Sequence, residues 1–400
     1  MDIHEKWIKK SKKMSKISKY INLINKDRLI RTFIELAKIK SPSKNEKQIA
    51  DFVSEKLKKI GLEVFIDDCG KKIGGNSGNI VAILKKDKFR IPIFLVAHLD
   101  TVALNGDIIP VLKNSRIINE NKKCILGADD KVAVAAILEA LYTIREKNIQ
   151  TGDIYIIFTV SEEVGILGAK HLDFKSIKAK YGFVFDGEGD IGTIFNEAPY
   201  HNSFNIKIIG KASHAGISPE KGISSIKIAS LAISQIKLGR IDKDTTCNIG
   251  KIEGGVERNI IPEITEVIGE ARSLVIDKLE KTTDDIINAF KKAASENGAK
   301  LKYEIEREYD GFKISENEIP IRIAKNAIKN LGKNPKVIST GGGSDINIFN
   351  YKGKVAVNLS SGMEDVHSSK EYVKINQLEK LAALILEICT FDISKLVIAE

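Results

Sequence analysis

The chain has 400 residues, 43% of them hydrophobic, and a formal net charge of +10 at pH 7. That length exceeds a single usual hydrophobic core and predicts two domains, while the longest apolar runs fall far short of the roughly 20 residues that a membrane-spanning helix needs. Basic residues are scattered along the chain and only 6% of residues are aromatic, which excludes a nucleic-acid groove with stacking platforms, so we expect no membrane and no nucleic-acid partner.

Residues 1–26 are predicted to be a basic N-terminal extension. The segment has no continuous apolar stretch followed by a small-residue cleavage site, so it does not match a secretory signal, and a cytoplasmic location follows. Ile17, Ile21 and Ile24 recur at helical spacing, and an amphipathic helix against a membrane or a partner is the alternative to a plain extension. The cysteines form no CxxC pair and are predicted to be free thiols of a reducing compartment. They are Cys69, Cys124, Cys247 and Cys389.

Beyond this extension, helices and strands alternate. Apolar residues at helical spacing predict a helix over residues 26–39, and the SPSKNE segment supplies a break and a capping signal before a second helix over 48–60. Further strands are predicted over 63–66, 79–84, 91–97, 154–160, 182–185 and 355–359, with a helix over 132–144. This alternation predicts an α/β fold with a mostly parallel central sheet flanked by helices.

The middle of the chain has a different pattern. Strands are predicted over 205–209, 248–252, 265–271 and 301–306, with helices over 224–236 and 279–295. We expect an inserted α+β lid or dimerisation domain at 198–308. Residues 27–197 and 309–400 would then form one catalytic domain, because the C-terminal part has to return to the first sheet to complete the site.

Side chains of the metal-ligand type lie at or just beyond the ends of several predicted strands. Open α/β sheets build their sites at the carboxyl ends of strands. Two imidazoles and three carboxylates suffice for two adjacent divalent ions that share one bridging carboxylate and hold a water between them, which is a hydrolase site. The five candidates are His98, Asp129, Glu163, Asp186 and His367.

The residues alone leave some of these roles open. Asp129 begins a helical pattern, and the simpler interpretation of an Asp at that position is a helix cap without a metal. Asp100 lies two residues after His98, on the same side of the strand, and could orient that imidazole by accepting its second ring N–H. Glu162 and Glu163 are adjacent, and the residues alone do not decide which one binds metal and which one is the general base.

Several motifs together resemble the dizinc metallopeptidase family of peptidase T, aminoacylase and glutamate carboxypeptidase, and most of all its peptidase T-like branch. The motifs are HLDT, LGADDK, SEEVGILGAK, FDGEG, KASHAGISPEKGISS, NIIPEITEVIGEARS, TGGGSDINIFN and MEDVHSSKEYV. The resemblance implies two Zn²⁺ ions, the first held by His98, Asp129 and Asp186, the second by Asp129, Glu163 and His367. It further implies Glu162 as the general base, Asp100 as the residue that orients His98, and a cis peptide bond between Asp129 and Asp130.

The resemblance also assigns residues of the middle block and the glycine turn that follows it. It makes His214 a donor to the oxyanion, often supplied by the partner subunit of a homodimer. The substrate carboxylate would be bound by Arg272, with Arg258 as a neighbouring alternative, and by Asn259, Gly342 and Gly343. Their simpler interpretations are a loop histidine, a strand arginine and an ordinary tight turn.

The activity expected from this resemblance is hydrolysis of the amide bond of a short peptide, in particular tripeptide aminopeptidase activity. Hydrolysis of N-acyl amino acids, or carboxypeptidase activity, would use the same metals and carboxylate pocket. A binding protein that keeps the fold without catalysis is the alternative from a different class. Ligands of this kind also suit Mn²⁺ or Co²⁺.

Overall fold

The structure is a computed structural model, and it describes residues 18–86, 90–103 and 106–392. The chain divides into two compact units. The first comprises Met1–Asn196, Ile314–Ser339 and Ser344–Glu400, and the second comprises Glu197–Lys313 and Thr340–Gly343. The second unit therefore includes a short glycine-rich turn that lies outside the predicted range of the insertion, 198–308.

The elements are numbered in chain order. Up to residue 198 they are a 3-10 helix Lys19–Leu23, α1 (Lys26–Lys38), α2 (Lys47–Ile60), β1 (Glu63–Ile66), α3 (Cys69–Ile73), β2 (Ile80–Leu84), β3 (Ile93–His98), β4 (Pro110–Lys113), β5 (Arg116–Asn119), α4 (Ala128–Glu146), β6 (Ile154–Thr159), α5 (Leu167–Lys170), β7 (Tyr181–Gly187) and β8 (Thr193–Ala198). Then follow β9 (Tyr200–Ile209), a 3-10 helix Pro219–Lys221, α6 (Ser225–Ser234), β10 (Gly239–Arg240), β11 (Thr245–Gly254), β12 (Ile264–Ser273), α7 (Ile276–Glu296), β13 (Lys300–Tyr309) and β14 (Phe312–Lys313). The last are α8 (Ile319–Asn330), β15 (Lys336–Ser339), α9 (Asp345–Tyr351), β16 (Val355–Ser360), β17 (Met363–Glu364), β18 (Tyr372–Lys374) and α10 (Ile375–Cys389).

The central sheet of the first unit has the order β1-β2-β6-β3-β7-β16-β8, and β15 also pairs with β8. Its middle strands β6, β3, β7 and β16 are parallel, whereas β1, β2 and β8 join the sheet in antiparallel fashion. Strands β3 and β6 are buried along their whole length, as expected for parallel strands covered on both faces. The predicted mixed α/β fold class is confirmed, with antiparallel strands at the sheet's margins.

Helix α4 is buried along most of its length. Its apolar positions, among them Val132, Ile137, Leu138 and Leu141, are inaccessible to solvent. A helix that is apolar on nearly every side is stable only inside the protein, and α1 and α10 pack against α4. Truncation of Leu138 to Ala would cost about 2–5 kcal/mol of stability. This packing fixes the start of α4, where Asp129 lies.

A small second sheet in the first unit, with the order β17-β18-β5-β4, was not predicted from the sequence. Its strands are two to four residues long, too short for a clear alternation of polar and apolar residues. Pairing of β18 with β5 brings residues 372–374 next to 116–118. The sheet thereby fixes the chain just after His367.

The second unit is a five-stranded sheet with the order β10-β11-β12-β9-β13, antiparallel throughout. Its apolar core combines sheet residues such as Phe204 and Val267 with Ile228 of α6 and Phe290 of α7. This arrangement is the predicted α+β architecture.

The described residues also bear on the expectations for membrane segments, cysteines and the N-terminal extension. Among the described residues, no helix combines the length and apolar character that crossing a membrane would require. All four cysteines are buried and free, as predicted. The 3-10 helix at 19–23 and the side chains of Ile21 and Ile24 pack against the core of the first unit, whereas Ile17 and the rest of 1–17 lie outside the described residues.

Candidate metal centre

The carboxyl ends of the four parallel strands carry the candidate ligands. His98 ends β3, Glu163 follows β6, Asp186 lies near the end of β7, and His367 follows β16. Because these strands are neighbours and run in the same direction, their ends meet at one edge of the sheet. The beginning of α4 adds Asp129 at the same edge, where one of its carboxylate oxygens lies 3.1 Å from His98 Nε2.

Asp129 lies between the two histidines. Its Oδ1 is 3.1 Å from Nε2 of His98, and its Oδ2 is 3.0 Å from Nε2 of His367. The same His367 nitrogen is 2.9 Å from Oε1 of Glu163, and His98 Nε2 is 3.8 Å from Oδ1 of Asp186. Each oxygen of one carboxylate thus faces a different imidazole, which is the geometry that a bridging ligand needs.

His98 is oriented through its other ring nitrogen. Nδ1 lies 3.0 Å from the main-chain oxygen of Asp100 and 3.6 Å from its Oδ1. Asp100 is fully buried, and its carboxylate accepts hydrogen bonds from Ser43 Oγ (2.7 Å), Glu162 N (2.9 Å) and Glu163 N (3.2 Å). Asp100 therefore holds the turn that carries the two glutamates, and its backbone carbonyl makes the shorter contact with the imidazole.

The two adjacent glutamates point to different partners. Glu163 contacts His367 with its carboxylate, whereas Glu162 is held by its backbone N–H on Asp100. The turn starts at Ser161, which has a positive φ of 54°, and Ser161 is fixed by Glu46 through its N–H (2.9 Å) and its hydroxyl (2.8 Å). Glu163 therefore presents its carboxylate to His367, while the N–H groups of both glutamates are bonded to Asp100.

Asp130 also lies at the centre, although it was not among the predicted ligands. Ligand atoms of His98, Asp130 and Asp186 lie within 4.8 Å of one another, as do those of His98, Asp129 and Glu163. The Oδ2 atom of Asp130 accepts the main-chain N–H of His98 at 3.3 Å. The peptide bond between Asp129 and Asp130 is cis, as the resemblance implied.

The centre carries buried negative charge. Burial raises the pKa of Asp186 and Glu162 well above their ordinary values, and neighbouring carboxylates raise it further. Burial likewise raises the pKa of Asp130, and it raises that of Asp345 to about 6. Oδ1 of Asp130 and Oδ1 of Asp345 are buried without a hydrogen-bond partner among the described residues. A divalent cation would stabilise the ionised form of such carboxylates.

Hydrogen bonds between Asp129 and the two histidines favour the charged form of each group and shift their pKa values accordingly. Burial alone would raise the pKa of Asp129, but hydrogen bonds from His367 and His98 hold it below its ordinary value. Hydrogen bonds to Asp129 and Glu163 raise the pKa of His367 to about 10. A metal ion bound here would take the place of these protons, since only the unprotonated imidazole nitrogen binds a metal. The donor set of imidazole nitrogens and carboxylate oxygens fits Zn²⁺, and also Mn²⁺ or Co²⁺.

The remaining predicted residues lie in the second unit. His214 and Asn259 are both exposed and lie on paired segments, because the N–H of Ala215 donates to the main-chain oxygen of Asn259 at 2.9 Å and His214 forms an isolated bridge with Ile260. The structure thus brings these two predicted residues together.

Arg272 already has a carboxylate partner in the second unit. Its Nε and Nη2 donate to the two oxygens of Glu270 at 3.1 and 3.0 Å, an arrangement that the sequence did not predict. Its charge also interacts with Tyr309, and Tyr309 packs so closely against Gly343 that a Cβ there would lie 2.2 Å from the ring. Gly342 donates its N–H to Thr340 Oγ1 at 3.2 Å. Arg272 and Gly343 therefore share Tyr309 as a neighbour.

Some site residues were not identified from the sequence. Asp345 accepts a hydrogen bond from Thr159, the last residue of β6, but an Asp at a helix start is equally well explained by the helix dipole. Glu371 is buried and accepts hydrogen bonds from the backbone around Asp129. Both lie within the motifs that carried the family resemblance, and only their place in the fold separates them from surface acids.

The central strands of the sheet are parallel, and their ends bring together two imidazoles and several buried carboxylates. This combination of fold and site defines a metal-dependent hydrolase. The chain belongs to the peptidase family M20/M25/M40, whose family model matches residues 94–390. It is therefore a metallopeptidase, and the predicted family is confirmed.

Three relatives illustrate the similarity. The chain is 38% identical to aminopeptidase PepT from Bacillus cereus, with a TM-score of 0.84 over 92% of this chain and 99% of that one. It is 38% identical to a tripeptidase from Staphylococcus aureus, with a TM-score of 0.88 over 92% and 98% of the two chains. It is also 40% identical to the uncharacterized protein YqjE of Bacillus subtilis, over 92% of this chain and 98% of that one. The similarities to the two solved structures support the peptidase T-like branch.

Proposed function

We propose that the protein is a two-metal aminopeptidase that removes the N-terminal residue from short peptides, in particular tripeptides. The observation that carries the proposal is the position of Asp129, whose two oxygens lie 3.1 and 3.0 Å from the Nε2 atoms of His98 and His367. The similarity to the aminopeptidase of Bacillus cereus and the tripeptidase of Staphylococcus aureus supports the choice of substrate.

In this proposal one ion is held by His98, Asp129 and Asp186, and the other by Asp129, Glu163 and His367. Zn²⁺ is the proposed ion, with Mn²⁺ or Co²⁺ as alternatives of similar ligand preference. Ions at these positions would polarise the scissile carbonyl and lower the pKa of a bound water. Asp130, which also lies within reach of His98 and Asp186, would contribute negative charge next to the first ion.

Glu162 is the proposed general base. It takes a proton from the attacking water and returns it to the leaving amine, which requires a carboxylate whose pKa lies close to the working pH. Burial and the neighbouring Asp186 raise the pKa of Glu162, which suits this role. Asp100 positions the base, because its carboxylate accepts the Glu162 N–H at 2.9 Å.

Residues of the second unit are proposed to bind the substrate and to stabilise the developing charge. His214 would donate to the oxyanion. Arg272, together with Asn259, Gly342 and Gly343, would bind the substrate carboxylate. Two of the five N–H donors of Arg272 are used by Glu270, and a guanidinium keeps further N–H groups for a second carboxylate.

A homodimer is the proposed assembly, and the cytoplasm the proposed location. The second unit exposes Ile252, Val256, Ile268 and Ile305, and exposed apolar side chains of this kind are typical of interaction surfaces. In the dimer, His214 of the partner subunit would be the oxyanion donor.

The aminopeptidase proposal is tested with a free tripeptide and its N-acetylated analogue, using metal-stripped protein with and without restored Zn²⁺, Mn²⁺ or Co²⁺. Metal-dependent release of the N-terminal residue from the free peptide alone is the expected result. Cleavage of the acetylated compound would favour an N-acyl-amino-acid hydrolase or a carboxypeptidase. Failure to cleave either compound with any metal would favour a non-catalytic binding protein.

A further inference from the structure

Glu371 lies four residues after His367 and is 2% exposed. Its Oε2 accepts the main-chain N–H groups of Leu126 and Gly127, both at 2.7 Å, and its Oε1 accepts that of Asp129 at 3.0 Å. Hydrogen bonds to an ionised group are shorter and roughly twice as strong as neutral ones. Three of them converge here from one short stretch of backbone.

This backbone stretch is not held by regular helical geometry. Gly127 has a positive φ of 73°, and Asp129 has φ −77° and ψ 110°, which is extended rather than helical. N–H groups at a helix start lack intrahelical partners and need an acceptor from elsewhere. Glu371 is that acceptor, and it comes from a segment 242 residues further along the chain.

Glu371 is itself tied to the segment that carries His367. Its N–H donates to the main-chain oxygen of Ser368 at 3.2 Å, and β18, which starts at the next residue, pairs with β5. His367 has a positive φ of 60°, so its backbone is in a conformation that the surroundings have to maintain. One side chain thus connects the segment of His367 with the backbone of Asp129.

A buried lysine lies beside the same stretch of backbone. Lys131 is inaccessible to solvent, and its amine donates to the main-chain oxygen of Ile39 at 2.7 Å. The carboxylate of Glu371 is held by the three backbone N–H groups of Leu126, Gly127 and Asp129. It is therefore not placed to be a metal ligand beside the side chains of His98, Asp129, Glu163, Asp186 and His367.

We propose that Glu371 is a positioning residue for the metal centre. It fixes Asp129 against His367, and thereby sets the spacing that lets one carboxylate bridge two ions. The inference rests on the two-metal centre of the proposed function. Partners that orient the ligands of a metal commonly affect its affinity by about 10–100-fold.

The test compares Glu371→Gln with the matched control Glu387→Gln. Glu387 is also buried, at 8% exposure, but it bonds to Ser18 Oγ and Asn330 Nδ2, away from the centre. Zn²⁺ dissociation constants are measured by competition with a chromogenic chelator, and the visible absorption of the Co²⁺-loaded proteins reports the ligand geometry. We expect Glu371→Gln to weaken metal binding about 10–100-fold and to change the Co²⁺ spectrum, with Glu387→Gln within twofold of the wild type.

Each other outcome has a defined meaning. An affinity within twofold of the wild type and an unchanged Co²⁺ spectrum for Glu371→Gln would overturn the positioning role. Equal losses in both variants would also overturn it, because they would reflect general destabilisation. Wild-type protein that binds no metal would instead contradict the proposed function, so the two failures can be told apart.

If Glu371→Gln does not fold, a measurement on the wild type still tests the inference. Hydrogen exchange of the metal-free protein is followed at the amides of Leu126, Gly127 and Asp129. Strong protection is expected, because all three N–H groups are bonded to a buried carboxylate without help from a metal. Exchange at the rate of an unstructured peptide would show that Glu371 does not hold this backbone, and would overturn the inference.

Discussion

Both units of the chain pack helices against a sheet, but their charged side chains have different partners. In the second unit, charged side chains pair with charges of opposite sign, as in Lys207 with Glu266 at 2.8 Å and Lys278 with Asp244 at 2.6 Å. In the first unit, several buried carboxylates meet at the strand ends, and Asp130 and Asp345 each have a buried oxygen without a hydrogen-bond partner among the described residues.

This difference separates the proposed roles of the units. A buried carboxylate without a compensating cation is costly, so the first unit has a site that a divalent ion would complete. The second unit balances its own charges and offers exposed donors such as His214. We therefore expect changes at the proposed metal ligands of the first unit to affect metal binding, and changes in the second unit to affect turnover with the metals in place.

The largest expected effect follows from Glu162→Gln. This variant keeps the side-chain volume but cannot accept a proton, so kcat should fall by about 10²–10⁴-fold. Metal content, measured by elemental analysis, should equal that of the wild type. Turnover close to the wild-type rate would exclude Glu162 as the general base.

A smaller effect is expected from His214→Ala in the second unit. Loss of an oxyanion donor typically lowers kcat by about 10²–10³-fold, and Zn²⁺ affinity should stay unchanged, because the variant removes no metal ligand. His171→Ala is the matched control, since His171 is also exposed and lies in the first unit outside the centre. If His214→Ala loses metal instead of turnover, the assignment of roles to the two units is wrong.

Metal binding should depend on pH. Because the pKa of His367 is raised to about 10 by hydrogen bonds to Asp129 and Glu163, a proton has to leave before the ion binds. Zn²⁺ affinity should therefore rise with pH, up to about tenfold per unit for one released proton. Calorimetric titrations in buffers of different ionisation enthalpy would measure this release. An affinity independent of pH between 6 and 8 would contradict it.

The raised pKa of His367 also predicts how the stability of the metal-free protein depends on pH. A histidine whose pKa is raised on folding stabilises the protein below its ordinary pKa, and that contribution is lost as the pH rises through the folded value. Metal-free protein should thus lose stability as the pH rises from about 6.5 towards 10, through His367. Thermal unfolding of the wild type and His367→Ala would show this, since the variant should lack this component of the pH dependence.

Removal of the metal should lower stability, and the effect should be confined to one unit. Saturation at about 1,000 times the dissociation constant stabilises a folded protein by about 4 kcal/mol. Chelation should therefore speed hydrogen exchange around α4 and the strand ends of the first unit. The exchange rates in β9 and β12 of the second unit should stay unchanged. Equal acceleration in both units would mean that the ions stabilise the chain as a whole.

Much of the fold could be predicted from the sequence because its main signals are local. The uniformly apolar runs before His98 and Glu162 indicate buried parallel strands, and the periodicity after Asp129 indicates a buried helix. The short strands β4, β5, β17 and β18 could not be predicted, because segments of two to four residues give no reliable alternation. Their pairing depends on contacts between distant parts of the chain.

The site shows the same division between local and distant information. Residue types at strand ends identify His98 and Asp186 as candidates without any structure. The role of Asp100 required the structure, because its carboxylate bonds to the backbone of Glu162 and Glu163 rather than making the shortest contact with His98. Glu371 required it as well, since its partners lie more than 240 residues away.

The most direct test of the account is the number of Zn²⁺ ions bound per chain by the wild type and by Asp129→Asn, measured by elemental analysis after equilibrium dialysis. Two ions for the wild type, and weakened binding of both in the variant, are the predicted result, because each oxygen of Asp129 faces a different histidine. One ion in the wild type, or a variant that loses only one of two, would contradict the bridging role of Asp129.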